Sequence, residues 1–347
     1  MKTNIIRVNP EAIDPEELRP AAKALAEGRL VAFPTETVYG LGADALNPEA
    51  VKRIYRAKGR PSDNPLIVHI SDFNQLERIV SSVPEKARTL METFWPGPLT
   101  LILPKSKYVP DETTAGLSTV AVRMPANRTA LELIRLSGLA IAAPSANLSG
   151  APSPTCASHV ISDLSGRIDY IIDGGSTQVG LESTVLDMTA DPPVVLRPGG
   201  VSSEMLERVI GNVNVGKIPE GGGTAPKSPG MKYRHYSPKA EMILVSGESQ
   251  SVVNTINDLV GQYRAKKKKT GVLASAETRS GYTADVVLCP GSRNSPETVA
   301  ASIYGCLRDF DQHGVDIIFS ETFPEDGIGL AIMNRLQKAA TGRVIRV

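Results

Sequence analysis

Short apolar runs alternate with longer stretches of helical periodicity through the first 210 residues. LVAFP (30–34), LIVHI (66–70), LTLIL (99–103), TVAVRM (119–124), AIAAP (140–144), YIID (170–173), STVLDM (183–188) and PVVLR (193–197) have the length and β-branched content of strands. PEELRPAAKALAEG after Asp14 reads as a capped helix ending at Gly28, and PEAVKRIYRAKG (48–59) as a second helix with proline in its first turn. Helical patterns recur near 84–94, 127–137, 154–164 and 202–211. The last three strands follow one another with no room for helices, so a mixed sheet is expected rather than a purely parallel one.

The pattern breaks at 216–240, GKIPEGGGTAPKSPGMKYRHYSPKA, where glycine and proline are dense and periodicity is lost. That composition predicts a linker, but MKYRHY crowds aromatic and cationic residues in a way a passive spacer does not need. Beyond it a β-then-α rhythm resumes. MILV (242–245), GVLA (271–274), DVVLC (285–289) and DIIFS (316–320) read as strands, with helices near 249–264, 296–312 and 328–340. A small parallel, Rossmann-like α/β domain is expected there. The chain thus divides into 1–212, a linker over 213–240, and 241–347.

Composition narrows the class. A chain of 347 residues with 41% hydrophobic content is long and apolar enough for about two folded domains. A net charge of +1 leaves any polyanion site to local clustering. Arg264–Lys269 is a basic run that reads as a solvated helix end. Cys156, Cys289 and Cys306 are dispersed and odd in number, which fits a reducing, cytoplasmic setting. The N-terminal segment lacks an apolar leader core, and no run approaches the roughly 18 residues of a membrane span.

Common catalytic motifs are missing. There is no GxxxxGK[ST], HExxH or GxSxG, and the four histidines are scattered. Gly40, Gly42 and Ala45 match GxGxx[GA] only formally; glycines easing a strand-to-loop bend are the simpler reading. Four polar segments remain. PTETVYGLGAD (34–44) follows an apolar strand, where either a binding loop or a capping turn fits. RAKGRPSDNPLIVHI (56–70) brings Lys58 and Arg60 to a helix end that breaks into a Gly/Pro loop; this suits a polyphosphate or simply the helix dipole. As loop cations, Lys58 and Arg60 are expected to contribute little to stability. Arg123 lies in an otherwise apolar strand, so its charge must be paired or face a ligand such as a carboxylate. Ser145 and Asn147 follow the strand of 140–144 at its carboxyl end, a usual ligand edge in α/β sheets. In the fourth segment Ser183 begins a strand and Arg197 ends the next. His69 alone would read as a satisfied core histidine.

Seven stretches occur in order: PTETVYGLG, KGRPSDNPLIVHI, WPGPLTLIL, TVAVRMP, APSANLSG, ESTV (182–185) and LRPGG. Together they resemble the YrdC-like family of threonylcarbamoyl-AMP synthases over about residues 15–210, and the tail resembles that family's long form. The resemblance implies a twisted mixed sheet with a concave, positively lined active site. It places Lys58, Arg60, Ser62, Asn64, Thr119, Ser145, Asn147, Ser153 and Arg197 on the ATP side. Thr35, His69, Arg123, the backbone of Ala143 and Ser183 fall on the L-threonine side, and Tyr236 is expected to close over the nucleotide. The implied reaction joins L-threonine, bicarbonate and ATP, with Mg2+ on the polyphosphate. Its product would pass to a threonylcarbamoyl transferase complex acting on tRNA. Two other readings stay open: a non-catalytic RNA-binding module, and a carbamoyl-adenylate enzyme like the YrdC-like portion of hydrogenase maturation factors. The absence of CxxC pairs speaks against the second.

Overall fold

The structure is a computed structural model that describes residues 1–216 and 236–347. These fall into two compact units. The first holds the described residues up to 216 except 150–152; the second holds 236–347 together with 150–152.

In the first unit β1 (Asn4–Arg7), α1 (Pro15–Ala26), β2 (Val31–Phe33), β3 (Gly40–Asp44), α2 (Pro48–Lys58) and β4 (Ile67–His69) come first. Then follow α3 (Leu76–Ile79), α4 (Glu85–Phe94), β5 (Leu99–Pro104), α5 (Asp111–Thr114), β6 (Thr119–Arg123), α6 (Arg128–Ser137) and β7 (Ile141–Ala142). The unit ends with α7 (Ala157–Leu164), β8 (Tyr170–Asp173), β9 (Thr184–Asp187), β10 (Val194–Arg197), α8 (Ser203–Ile210) and β11 (Asn214–Val215). Local chemistry sets the boundaries that matter for function. The Asn47 side chain accepts from Glu49 N and Ala50 N at the start of α2, and Gly59 ends the helix with φ 59°. Lys58 is therefore the last helical residue, where the chain turns.

The sheet has the order β1-β8-β2-β3-β7-β4-β6-β5-β9-β10-β11 and is mixed: β4 and β6 run parallel, β5 and β6 antiparallel, β5 and β9 parallel. The order sets β4, β6, β5, β9 and β10 side by side. Register then aligns His69 with Arg123, and Leu99 with Thr184.

Three strands of this unit, β1, β3 and the two-residue β11, escaped the hydrophobic pattern. β1 is a short edge strand with Ile5 exposed, so it carries no apolar run. β3 contains Gly40 and Gly42, which the pattern assigned to a bend. They lie in extended backbone instead, and a Cβ on Gly42 would meet the Phe33 ring and Ile141 Cγ2 at 2.8 Å. The glycines are there for close packing between neighbouring strands.

The second unit contains β12 (Glu241–Ser246), α9 (Ser249–Ala265), β13 (Thr270–Leu273), β14 (Val286–Leu288), α10 (Pro296–His313), β15 (Ile317–Glu321), α11 (Gly329–Ala339) and β16 (Val344–Arg346). Its strands are all parallel, in the order β14-β13-β15-β12-β16. The basic run ends α9 at the surface, with Arg264 paired to Asp285 and Lys268 to Asp316. Glu321, fully buried at the end of β15, accepts from Tyr282 Oη at 2.7 Å and from Arg293 Nη2 at 2.5 Å.

In the first unit the LRPGG turn after β10 presses on the start of β9. A Cβ on Gly199 would overlap the backbone of Glu182, Ser183 and Thr184. Backbone cannot rotate aside as a side chain can. Gly199→Ala is expected to cost about 1–3 kcal/mol or more in denaturant unfolding, a penalty that Gly261→Ala, in open space on a helix of the second unit, should not reproduce.

Candidate active site

Arg123 ends β6 and is 3% exposed, so its charge must find partners inside the protein. Nε donates to Gly97 O at 3.1 Å and Nη1 to Thr37 Oγ1 at 2.9 Å. Nη2 lies 2.6 Å from Glu36 Oε1, a buried ion pair. Thr35 Oγ1 donates to Val38 O at 2.7 Å, which uses its one proton. The 2.8 Å contact with Thr37 Oγ1 must then be donated by Thr37. The loop after β2 is thus wound around a chain of hydroxyls that ends on the guanidinium. The sequence left Arg123 to be paired or to face a ligand carboxylate; here its partner is the protein's own carboxylate.

His69 sits beside Arg123 in register. It is 4% exposed, its Nδ1 is 3.1 Å from Ile67 O, and its ring meets Phe33 edge-on at 6.3 Å. Burial, reinforced by the Arg123 charge, pushes its pKa down to about 3. It is neutral at physiological pH and offers hydrogen bonds rather than charge.

Across the neighbouring strands, Ser183 Oγ is 2.7 Å from Thr100 Oγ1 on β5. Arg197 Nη2 donates to Ser183 Oγ at 3.1 Å and Nε to Ser183 O at 3.0 Å. The β5–β6 register pairs Leu101 with Val122, so the next step sets Thr100 opposite Arg123. Register thus places two hydrogen-bonded sets, Thr35–Thr37–Arg123 and Thr100–Ser183–Arg197, side by side as one polar row, with His69 next to Arg123. Next to Ser183, Glu182 is 6% exposed and accepts from the buried Ser153 Oγ at 2.5 Å.

Lys58 joins a second group. Its ammonium donates to Ser145 O, and to Asn147 O at 2.5 Å. Ser145 Oγ donates to Asn147 Oδ1 at 2.6 Å, and Ser149 N returns a bond to Lys58 O at 3.0 Å. Lys58 is 3% exposed, which corrects its reading as a loop cation with little part in stability. Arg60 Nη2 donates to Asn64 O and Pro65 O at 3.2 and 3.3 Å. The Asn64 side chain is fully buried, and neither amide atom has a hydrogen-bond partner among the described residues. Unpaired buried amides are costly, and such a group is set for an incoming partner. Ala143 N donates to Ile67 O at 2.9 Å, fixing that backbone beside β4. Ser62 is exposed on the loop, where it lines a shallow cavity with Lys52, Tyr55, Arg56 and Arg60.

Among the expected residues of this unit, Thr119 lies apart from the network. Thr119 begins β6 opposite Pro104, four residues and about 13 Å along the strand from Arg123. Tyr236 belongs to the second unit, where its ring stacks on Tyr304 at 5.4 Å with Arg335 5.5 Å from its centroid. The rest of MKYRHY falls within 217–235, outside the described residues. Sequence reasoning noted Glu36 and Thr37 only as part of a loop suited to binding or capping, and gave no site role to them, Thr100 or Glu182. The available signal was an acid or hydroxyl inside an apolar stretch, as in PTET and LTLIL, which cannot reveal a partner 87 positions away.

Residues 23–199 match the Sua5/YciO/YrdC family, described as telomere recombination, and residues 201–341 match a family described as the threonylcarbamoyl-AMP synthase C-terminal domain. The chain is 56% identical to the threonylcarbamoyl-AMP synthase of Bacillus subtilis, over 96% of this chain and 95% of that one. Identity to the Schizosaccharomyces pombe threonylcarbamoyl-AMP synthase is 44%, over 90% and 85% of the two chains. The crystal structure of Pyrococcus abyssi Sua5 complexed with L-threonine is similar with a TM-score of 0.95 and 52% identity, covering 99% of this chain and all of that one.

Two outcomes follow from the geometry. Lys58→Ala strands the carbonyls of Ser145 and Asn147, so it should lower unfolding stability by about 1–3 kcal/mol as well as activity. Arg60→Ala, whose parent side chain is half-buried, should cost less stability. His69, with its folded pKa of about 3 below the unfolded value, leaves the unfolded chain binding the extra proton between those two pH values. Its contribution is fully present above about pH 6.5 and is lost as pH falls toward 3. In denaturation from pH 7 to pH 4, His69→Gln should lose stability less steeply than the parent.

Proposed function

The chain belongs to this family, and on that premise we propose that it is a threonylcarbamoyl-AMP synthase. It condenses L-threonine, bicarbonate-derived CO2 and ATP to threonylcarbamoyl-AMP and pyrophosphate. The observation that carries this reading is the agreement of fold and sequence over nearly the whole chain with a protein solved with L-threonine bound. The polar row around Arg123 supports it.

The threonine ammonium gives up its proton, and the free amine adds CO2 from bicarbonate to form a carbamate, with water and one net proton released to solvent. A carbamate oxygen then attacks the α-phosphate of ATP and expels pyrophosphate. The nucleophile comes from the substrate, so the protein's part is positioning and charge. We assign Thr35, His69, Arg123, the Ala143 backbone and Ser183 to threonine. Arg123 supplies the planar fork that a carboxylate fits, and neutral His69 a hydrogen-bonding edge without a competing charge. Lys58, Arg60, Ser62, Asn64, Ser145, Asn147, Ser153 and Arg197 are assigned to ATP, with Lys58 and Arg60 facing charge that develops on the phosphates. The unpartnered Asn64 amide supports that side. Among the described residues no three metal-ligating side chains converge, and Mg2+ would enter with the polyphosphate and neutralise part of its charge. No described helix is long and apolar enough to cross a membrane. Work in the cytoplasm, and transfer of the product to a threonylcarbamoyl transferase complex that modifies tRNA at position 37, complete the proposal.

The test is pyrophosphate release with one substrate omitted at a time. ATP turnover should need both L-threonine and bicarbonate. Equal release without threonine would rule the synthase reading out.

A further inference from the structure

Glu36 has no task in the reaction as described, yet it sits in the middle of the polar row. It is 6% exposed, and its Oε1 is 2.6 Å from Arg123 Nη2. Neither carboxylate oxygen takes part in an aligned hydrogen bond among the described residues, and neither does Nη2. An ionised carboxylate has room for about four donors. Glu36 instead holds one off-axis cation, a poor arrangement for a buried charge. Meanwhile Gly97 and Thr37 secure the other guanidinium nitrogens and fix the orientation of Arg123.

An α-amino acid carries a carboxylate and an ammonium group one carbon apart. We propose that Glu36 is the receptor for the α-ammonium of L-threonine, and that the Glu36–Arg123 pair stands in for the zwitterion while the site is empty. On binding, the substrate carboxylate takes Glu36's place on Nη2, and the ammonium takes Arg123's place on Glu36. Two charges enter a buried site that already holds two, and none is left unpaired on binding. This rests on the reading that the first unit binds L-threonine. A carboxylate beside the amine also keeps it protonated, so Glu36 recognises the zwitterion and not the later carbamate. Its loss should fall on KM more than on kcat.

The exchange separates amino acids from other acids. A ligand with the carboxylate but no amine would pull Arg123 away and strand Glu36 in the interior. Calorimetric titration of the full chain with L-threonine and with 3-hydroxybutyrate, which lacks only the amine, tests this. The parent should bind 3-hydroxybutyrate at least about a hundredfold more weakly than L-threonine. Glu36→Gln should lose at least about tenfold in affinity for L-threonine, bind 3-hydroxybutyrate no worse than the parent, and raise the KM for threonine more than it lowers kcat. Glu36→Asp, which keeps the charge but draws it back, should show a smaller loss of the same kind and carries the comparison if the glutamine variant does not fold. A parent that fails to bind L-threonine refutes the underlying assignment. A parent that binds it while both variants bind it equally well overturns the role of Glu36 alone.

Discussion

A guanidinium buried in the middle of a sheet is the constraint around which the first unit is arranged. Arg123 closes β6 at 3% exposure and cannot be left without partners there. Its needs are met from three directions: the Gly97 carbonyl before β5, the Thr37 hydroxyl of the loop after β2, and the Glu36 carboxylate of that loop. The loop's winding, through Thr35 Oγ1 and the carbonyl of Val38, is what brings the last two into range. Charge and loop conformation specify each other, which keeps a polar cluster ordered within an apolar sheet.

The second buried cation is handled differently. Lys58 is a compact point charge with three donors, and it is neutralised by carbonyl dipoles of the segment after β7. Gly59 makes this possible by turning the chain at the end of α2, and the return bond from Ser149 N to Lys58 O locks the helix end against that segment. An arginine would demand planar acceptors in place of these converging carbonyls. The two sides of the site thus use two cations for reasons of shape as much as charge.

Much of the architecture was legible in the sequence because its strands are short apolar runs and its helices carry caps. Val31–Phe33, Leu99–Pro104, Val194–Arg197 and the β–α rhythm of the second unit all fell where periodicity placed them, within a few residues. β3 was hidden because glycine, chosen for packing against Phe33 and Ile141, reads locally as a turn. The candidate residues were legible in a different way. Seven ordered motifs pointed to them, while the residues alone left Arg123 between pairing and ligand binding. Its bond to Glu36 depends on β4, β6 and β5 lying in an order unlike their order in the chain, and no local pattern encodes that order. The buried state of Lys58 was missed for the same reason, since the carbonyls that hold it lie 87 and 89 positions onward.

That separation also has a temporal side. Glu36 leaves the ribosome 87 residues before the arginine that pairs with it, a delay of roughly 4–17 s at ordinary rates of synthesis, about 5–20 residues per second. Throughout that interval the β2–β3 hairpin carries an acid whose native partner has not been made, and desolvating that acid alone is unfavourable. The ion pair, and with it the loop's final charge balance, can form only once β6 exists.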